Sequence, residues 1–267
     1  MQFILHFFIC AFDLAHVLMF AYNVIGDVMQ LYIWLMFVFL MSMFGSLIVF
    51  LIDQKYLKRN VSLFSGIAVG VMLATTVWSL LVPAFEYSKD CILIIISFAF
   101  GYAVLFMFEI VQTRRCEKTQ TTANGTYLAI TLHNIPEGLI IGVGFGMLQF
   151  ADNSFGAIAL ALAIGIQNFP ESISLSIILK EKGFSNKKIF ALSLLSAIVE
   201  PIFGLIGYFL SYYIVNMLGA ILGFTAGMMM FVLISEMIID ALEENKILGM
   251  LGILFGFTLM MMLEKIL

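Results

Sequence analysis

The apolar residues of this chain come in blocks of about twenty, and that block length decides what the chain can become. Twenty apolar residues in helical form cross a hydrocarbon core of about 30 Å. Inside a bilayer every backbone polar group must be satisfied within the protein, which leaves helices and closed barrels. A barrel would alternate apolar and polar residues over segments of roughly ten, and these blocks do not alternate. The spacing predicts eight helices, at about 31–52, 61–85, 91–111, 126–149, 155–179, 189–214, 219–242 and 247–266. Between them stand DQKYLKRN, EYSKD, the run from Gln112 to Gly125, ADNS, KEKGFSNKK, a short turn from Val215 to Leu218, and EENK. Hydrophobic residues make up 63% of the 267 and charged ones 11%, against about 25% charged in soluble proteins. The expected fold is an all-α membrane bundle, with residues 28–267 as its body and 1–27 as an extra N-terminal helix. That N-terminal stretch has no basic residue at its start, unlike a signal peptide. Its His6, Asp13 and His16 fall near one face of a helix and are read as polar groups turned to protein or interface, with a peripheral metal-handling face as the alternative.

Placement of positive charge gives an expected orientation. The loops after the first, third, fifth and seventh helices hold eleven of the thirteen basic residues, among them Lys55, Arg59, Arg114, Arg115, Lys180, Lys188 and Lys246. Only Lys89 and Lys265 fall on the other side. By the positive-inside rule these loops face the cytoplasm, so the C-terminus is expected outside the cell membrane. Cys10, Cys91 and Cys116 are scattered, with no CxxC spacing, and suggest neither a disulfide framework nor a thiolate metal site. GxxxG steps at Gly66/Gly70, Gly223/Gly227 and Gly252/Gly256 allow helix backbones to approach closely.

Two interruptions in the apolar blocks carry the chemistry. The fourth helix contains TLHNIPEGLIIG and the fifth GIQNFPESISLS, so a polar pair, a proline and a glutamate recur at an interval of 34 residues. A third acid, Glu200, precedes Pro201 in the sixth helix. An ionisable residue at a helix centre costs about 2.5–3.5 kcal/mol on insertion scales. Glu137, Glu171 and Glu200 have no lysine or arginine near them in these helices, so either protons or a cation must neutralise them. His133 and Glu137 are i, i+4 on one helical face, and Gln167 and Glu171 repeat that geometry. Asn134 and Asn168 stand three residues before the same glutamates. Pro136 and Pro170 free the carbonyls of Leu132 and Ile166 and bend their helices. Nitrogen and oxygen donors in this mixture suit a divalent transition metal such as Zn²⁺.

HNIPEG, the related QNFPES and the glutamate–proline of the sixth helix resemble the ZIP (Zrt-/Irt-like) family of divalent metal transporters, in particular its GufA-like prokaryotic branch. The second-helix run GIAVGVMLATTVWSLLVPAFE and the seventh-helix AGMMMFVLISEMI resemble that branch too. The resemblance implies a bundle whose first three and last three helices are related by inverted pseudo-symmetry around the fourth and fifth. It implies two adjacent metal sites. One uses His133, Glu137, Gln167 and Glu171, with Met72 as a soft ligand. The other uses Asn134, Asn168 and Glu200, bridged by Glu137 and Glu171. Alternating access, a homodimer, and metal as transported substrate rather than cofactor follow from the same resemblance. The expected partners are divalent metal ions, the lipid bilayer and a second copy of the chain, with no nucleic acid.

Gln167 stands where many members carry histidine, and its harder amide oxygen extends the expected metals from zinc to cadmium, iron(II) and manganese. Glu236 and Asp240, i and i+4 in the seventh helix, are candidates to receive metal on the exit path. The competing class is an intramembrane metal-dependent hydrolase or di-metal carboxylate enzyme. The first needs H-E-x-x-H, and position 134 is Asn. The second wants Glu-x-x-His pairs on two helices, and neither paired segment has one.

Overall fold

In the computed structural model the backbone is described over residues 2–116, 122–147, 154–214 and 217–266. Side chains are described for residue 26 and for 28–111 except 54, and then for 134–147, 156–177, 179–180, 182–213, 217–263 and 265. Among the described residues all regular structure is helical: α1 Gln2–Leu51, α2 Gln54–Ala74, α3 Val82–Tyr87, α4 Cys91–Cys116, α5 Thr122–Met147, α6 Ser154–Glu181, α7 Asn186–Ala197, α8 Val199–Ile214, α9 Leu218–Val232, α10 Ile238–Glu243 and α11 Lys246–Ile266. Seven spans among the described residues are long and apolar enough to cross a bilayer. The 26-residue α5 takes the place of the expected fourth helix.

The polar punctuation between blocks works as capping chemistry. The Asp53 carboxylate accepts from the Lys55 amide at 3.0 Å, and Asp90 accepts from Ile92 and Leu93, each at 3.1 Å. Ser185 caps α7 through the Lys188 amide, and Asn245 starts α11 by accepting from Leu248 at 3.1 Å. Each bond satisfies one of the amides a helix start leaves bare.

Four expected helices differ in detail. The first is continuous from Gln2, because 1–30 contains no proline and a single glycine to interrupt it. At 1.5 Å per residue its 50 residues reach about 75 Å, more than twice the hydrocarbon thickness. The sixth is split at Ile198 into α7 and α8, since Pro201 has no N–H for the carbonyl of Ala197. The second and seventh each pass through a π-helical segment, Thr75–Leu81 and Leu233–Met237. Thr75 and Thr76 donate their hydroxyls back to the Val71 and Met72 carbonyls where the first of these begins.

Helix pairing separates the spans into two sets. In one, α1 packs along α6 and α5 along α8; in the other, α2 packs along α11 and α4 along α9. Counted as spans, first-with-fifth and sixth-with-fourth are the pairs that the expected inverted repeats would exchange, and so are second-with-eighth and seventh-with-third. Glycine makes these pairings close. A Cβ on Gly142 would fall into the Gly204 carbonyl, and one on Gly70 would fall into the Ile253 carbonyl. Wherever a described glycine meets another helix this closely, the neighbour belongs to its own set. Between the sets the contact is made by side chains, chiefly of α2 against α6, as in the 2.8 Å hydrogen bond from Ser65 to Ser174.

Candidate metal centre

The two proline motifs meet Glu200 where α5, α6 and α8 come together. Gly138 makes the approach possible: a Cβ there would stand 2.9 Å from the Glu200 Cα, so only a bare backbone admits α8 at this point. As a result Glu137, Gln167, Asn168 and Glu200 are all buried within a few per cent of fully, and Asn134 is 6% exposed. Gln167 donates its amide nitrogen to Glu137 Oε1 in a short hydrogen bond. Asn168 donates at 2.8 Å to Glu200 Oε1 and at 3.2 Å to the Ser42 hydroxyl. Asn134 donates to the Ser196 carbonyl and hydroxyl, at 3.0 and 3.1 Å.

These contacts consume the amide N–H groups and leave oxygens over. Glu137 Oε2, Gln167 Oε1, Asn168 Oδ1 and Glu200 Oε2 are buried with no hydrogen-bond partner. Leaving one such atom unsatisfied costs about 1–3 kcal/mol, and more for a charged group. The charged neighbours of Glu137 are Glu171 and Glu200, and that of Glu200 is Glu171. Buried oxygens without donors, on acids that are one another's charged neighbours and on the amides bonded to them, form an environment that a cation would stabilise.

The expected site residues are placed as follows. Asn134, Glu137, Gln167, Asn168, Glu171 and Glu200 come together. His133 lies one turn before Glu137 on α5, and its side chain is outside the described residues. Met72 is fully buried in the central apolar cluster, on the helix that packs against α6, and no described contact ties its sulfur to the acids. Glu236 lies in the second π segment, half-buried. Asp240 follows it, with Glu243 and Lys182 as charged neighbours. Neither joins the central group. Among the described residues no three His, Cys, Asp or Glu side chains stand close enough to hold one ion by themselves.

The surroundings differ on the two sides. Towards the end away from the basic loops the same helices continue with Leu35, Ile140, Ile141, Phe145, Leu160 and Ile164 of the apolar cluster. Beyond these a cavity of about 130 Å³ is lined by Ser79, Glu86, Tyr87, Val143 and Leu222 among others. Towards the basic-loop end the wall is of serines, which the sequence reading passed over. Serine is ordinary in membrane helices, and only α1 and α7 folding against α6 reveals that Ser42, Ser193 and Ser196 face the motifs.

A polytopic helical membrane protein with a buried cage of carboxylate and amide oxygens between proline-bearing helices is a class that handles cations. The family model for the ZIP zinc transporter matches residues 112–264, more than half of the chain, and the chain belongs to that family. The family is one of transporters, which sets aside the enzyme alternative. Zinc transporter ZIP11 of Homo sapiens is 41% identical over 116 residues, 43% of this chain and 34% of its own length. Zinc transporter GufA of Myxococcus xanthus is 36% identical over 111 residues, 42% of each chain. Zinc transporter ZupT of Streptococcus mutans is 32% identical over 123 residues, 45% of each. The chain thus spans between a third and a half of the length of these relatives.

Proposed function

We propose that this protein carries divalent transition metal ions, zinc foremost, across the cell membrane into the cytoplasm. The ion binds as substrate in a binuclear centre built from His133, Asn134, Glu137, Gln167, Asn168, Glu171 and Glu200. The observation that carries the reading is the group of buried, unpartnered oxygens on Glu137, Gln167, Asn168 and Glu200. Cadmium, iron(II) and manganese share the centre, because Gln167 offers a hard oxygen where an imidazole would favour zinc. Met72, Glu236 and Asp240 serve the path to and from it. The basic loops face the cytoplasm, and the chain works as a homodimer by alternating access. A negative-inside potential favours entry of a 2+ ion by about 4.6 kcal/mol per 100 mV, so no nucleotide is needed.

Purified protein in liposomes is expected to accumulate radioactive zinc or cadmium without ATP, and Glu171→Ala to abolish the accumulation. Firm metal binding with no flux under any gradient would overturn the reading. Protons compete with the ion for the same carboxylates. Metal affinity therefore decreases as the pH is lowered from about 8 to about 5, and a titration that stays flat over that range counts against metal on these acids.

A further inference from the structure

The two helix sets are fitted together unevenly. On the basic-loop side α2 lies against α6, and Ser65 bonds Ser174 at 2.8 Å. At the other end the cavity of about 130 Å³ stands between them. Its lining is shared. Ser79, Glu86 and Tyr87 continue the span that begins with α2, and Leu222 lies on α9; facing them are Val143 of α5 and Ala157 of α6. Protein interiors contain few voids larger than a water molecule. This one approaches the ~150 Å³ of an apolar cavity that takes up benzene. Val143, Ala157 and Leu222 are almost fully buried, whereas Glu86 and Tyr87 are exposed. The cavity therefore runs from an apolar floor to a polar mouth.

No lysine, arginine or histidine is among the lining residues, so Glu86 gives the mouth a negative charge. A pocket of this kind, apolar with a few polar groups at one place, is the usual form of a small-molecule site. A transition metal asks for about four ligands, and one exposed carboxylate beside a hydroxyl is a poor set. An ammonium asks for a single carboxylate, and an aromatic ring such as that of Tyr87 attracts it as well. We propose that this cavity binds small organic cations with an apolar body, aryl- or alkylamines, and that the occupant wedges the two helix sets at this end. The wedge follows from the shared lining. Travel of one set past the other moves the walls relative to each other, and a molecule held by both walls opposes that travel. The wedge rests on the alternating-access reading above; the binding does not.

Phenethylamine is the probe, and phenethyl alcohol its uncharged isostere. Calorimetry on the purified protein should show saturable binding of the amine, with the alcohol weaker by about fivefold, the scale of an exposed charge pair. Glu86→Gln should remove that difference. Val143→Phe and Leu222→Phe fill the cavity from opposite sets, so one serves if the other does not fold. Each should weaken the amine on the order of tenfold, because the added ring takes its space. In liposomes zinc uptake should decrease as phenethylamine is added, while zinc binding at equilibrium stays unchanged. Lack of saturable binding, equal binding of amine and alcohol, or undiminished binding in both filled variants would overturn the site. Displacement of zinc in proportion to bound amine would do so too, since the amine would then sit among the acids. Uptake that persists with the cavity occupied would overturn the wedge. Absence of uptake in the parent would overturn the transport reading instead, while calorimetry still decides the site.

Discussion

Glu137→Ala will reduce metal uptake in liposomes by about 100-fold or more, and will leave the protein as stable as before or more so. Both halves follow from the same atoms. Glu137 is fully buried, takes the amide of Gln167 on one oxygen, faces the acids Glu171 and Glu200, and has no partner for the other oxygen. Loss of a group that merely supports a metal ligand costs roughly 10–100-fold, so loss of a central carboxylate should exceed that. Without metal, however, this carboxylate is a buried acid among acids, and exchanging such a group for an apolar one is often neutral or stabilising by about 1–4 kcal/mol. Glu137→Gln keeps the volume and removes the charge, and should transport almost as poorly. Thermal unfolding in detergent without metal provides the other half. If Glu137→Ala unfolds earlier in proportion to its loss of uptake, the residue is structural and the cage reading is wrong.

Gly142→Val will give the largest loss of stability of any single substitution between α5 and α8. The Gly142 Cβ position already lies in the Gly204 carbonyl, and within 2.7 Å of the Tyr208 amide nitrogen. Backbone cannot move aside as a side-chain end can, so the helices must separate, and overpacking of this kind costs up to about 3 kcal/mol or more. Gly144 is the internal control. Its Cβ would meet Ala157 Cβ at 3.5 Å, an ordinary contact, so Gly144→Ala should change stability by less than about 1 kcal/mol. Equal behaviour of the two variants in a detergent melting series would mean that α5 and α8 are not held at backbone distance.

The architecture was legible in this sequence because lipid imposes so few choices. Block length alone marked out the membrane helices, seven of which are long and apolar enough to cross a bilayer among the described residues, and the capping residues Asp53, Asp90, Ser185 and Asn245 sit where the polar punctuation placed helix starts. The central acids were legible for a related reason: Glu137, Glu171 and Glu200 are costly in an apolar helix; their amide partners were not, because Gln167 bonds Glu137 and Asn168 bonds Glu200 across helices rather than along one face. What the sequence concealed was whatever lipid does not penalise. A serine such as Ser193 satisfies itself almost anywhere, so nothing marks it until α7 is laid against α1. The π segments are hidden likewise, because Thr75 and Leu233 are as compatible with an α-turn as with a wider one. The break at Ile198 was half visible, since Pro201 was noted for its neighbour Glu200 rather than for the helix it interrupts.

The two helix sets alternate along the chain, and this gives them a leash. The polypeptide passes from one set to the other between α1 and α2, between α4 and α5, and between α8 and α9. From Leu51 to Gln54 only Ile52 and Asp53 intervene, a reach of about 10 Å at full extension. At the opposite end, from Ile214 to Leu218, the reach is about 14 Å. Any travel of one set past the other is bounded by these lengths at both membrane faces unless a terminal helical turn unwinds. If transport proceeds by alternating access as proposed, shortening either connector by one residue should therefore slow it while leaving the contacts among Glu137, Gln167, Asn168 and Glu200 unchanged.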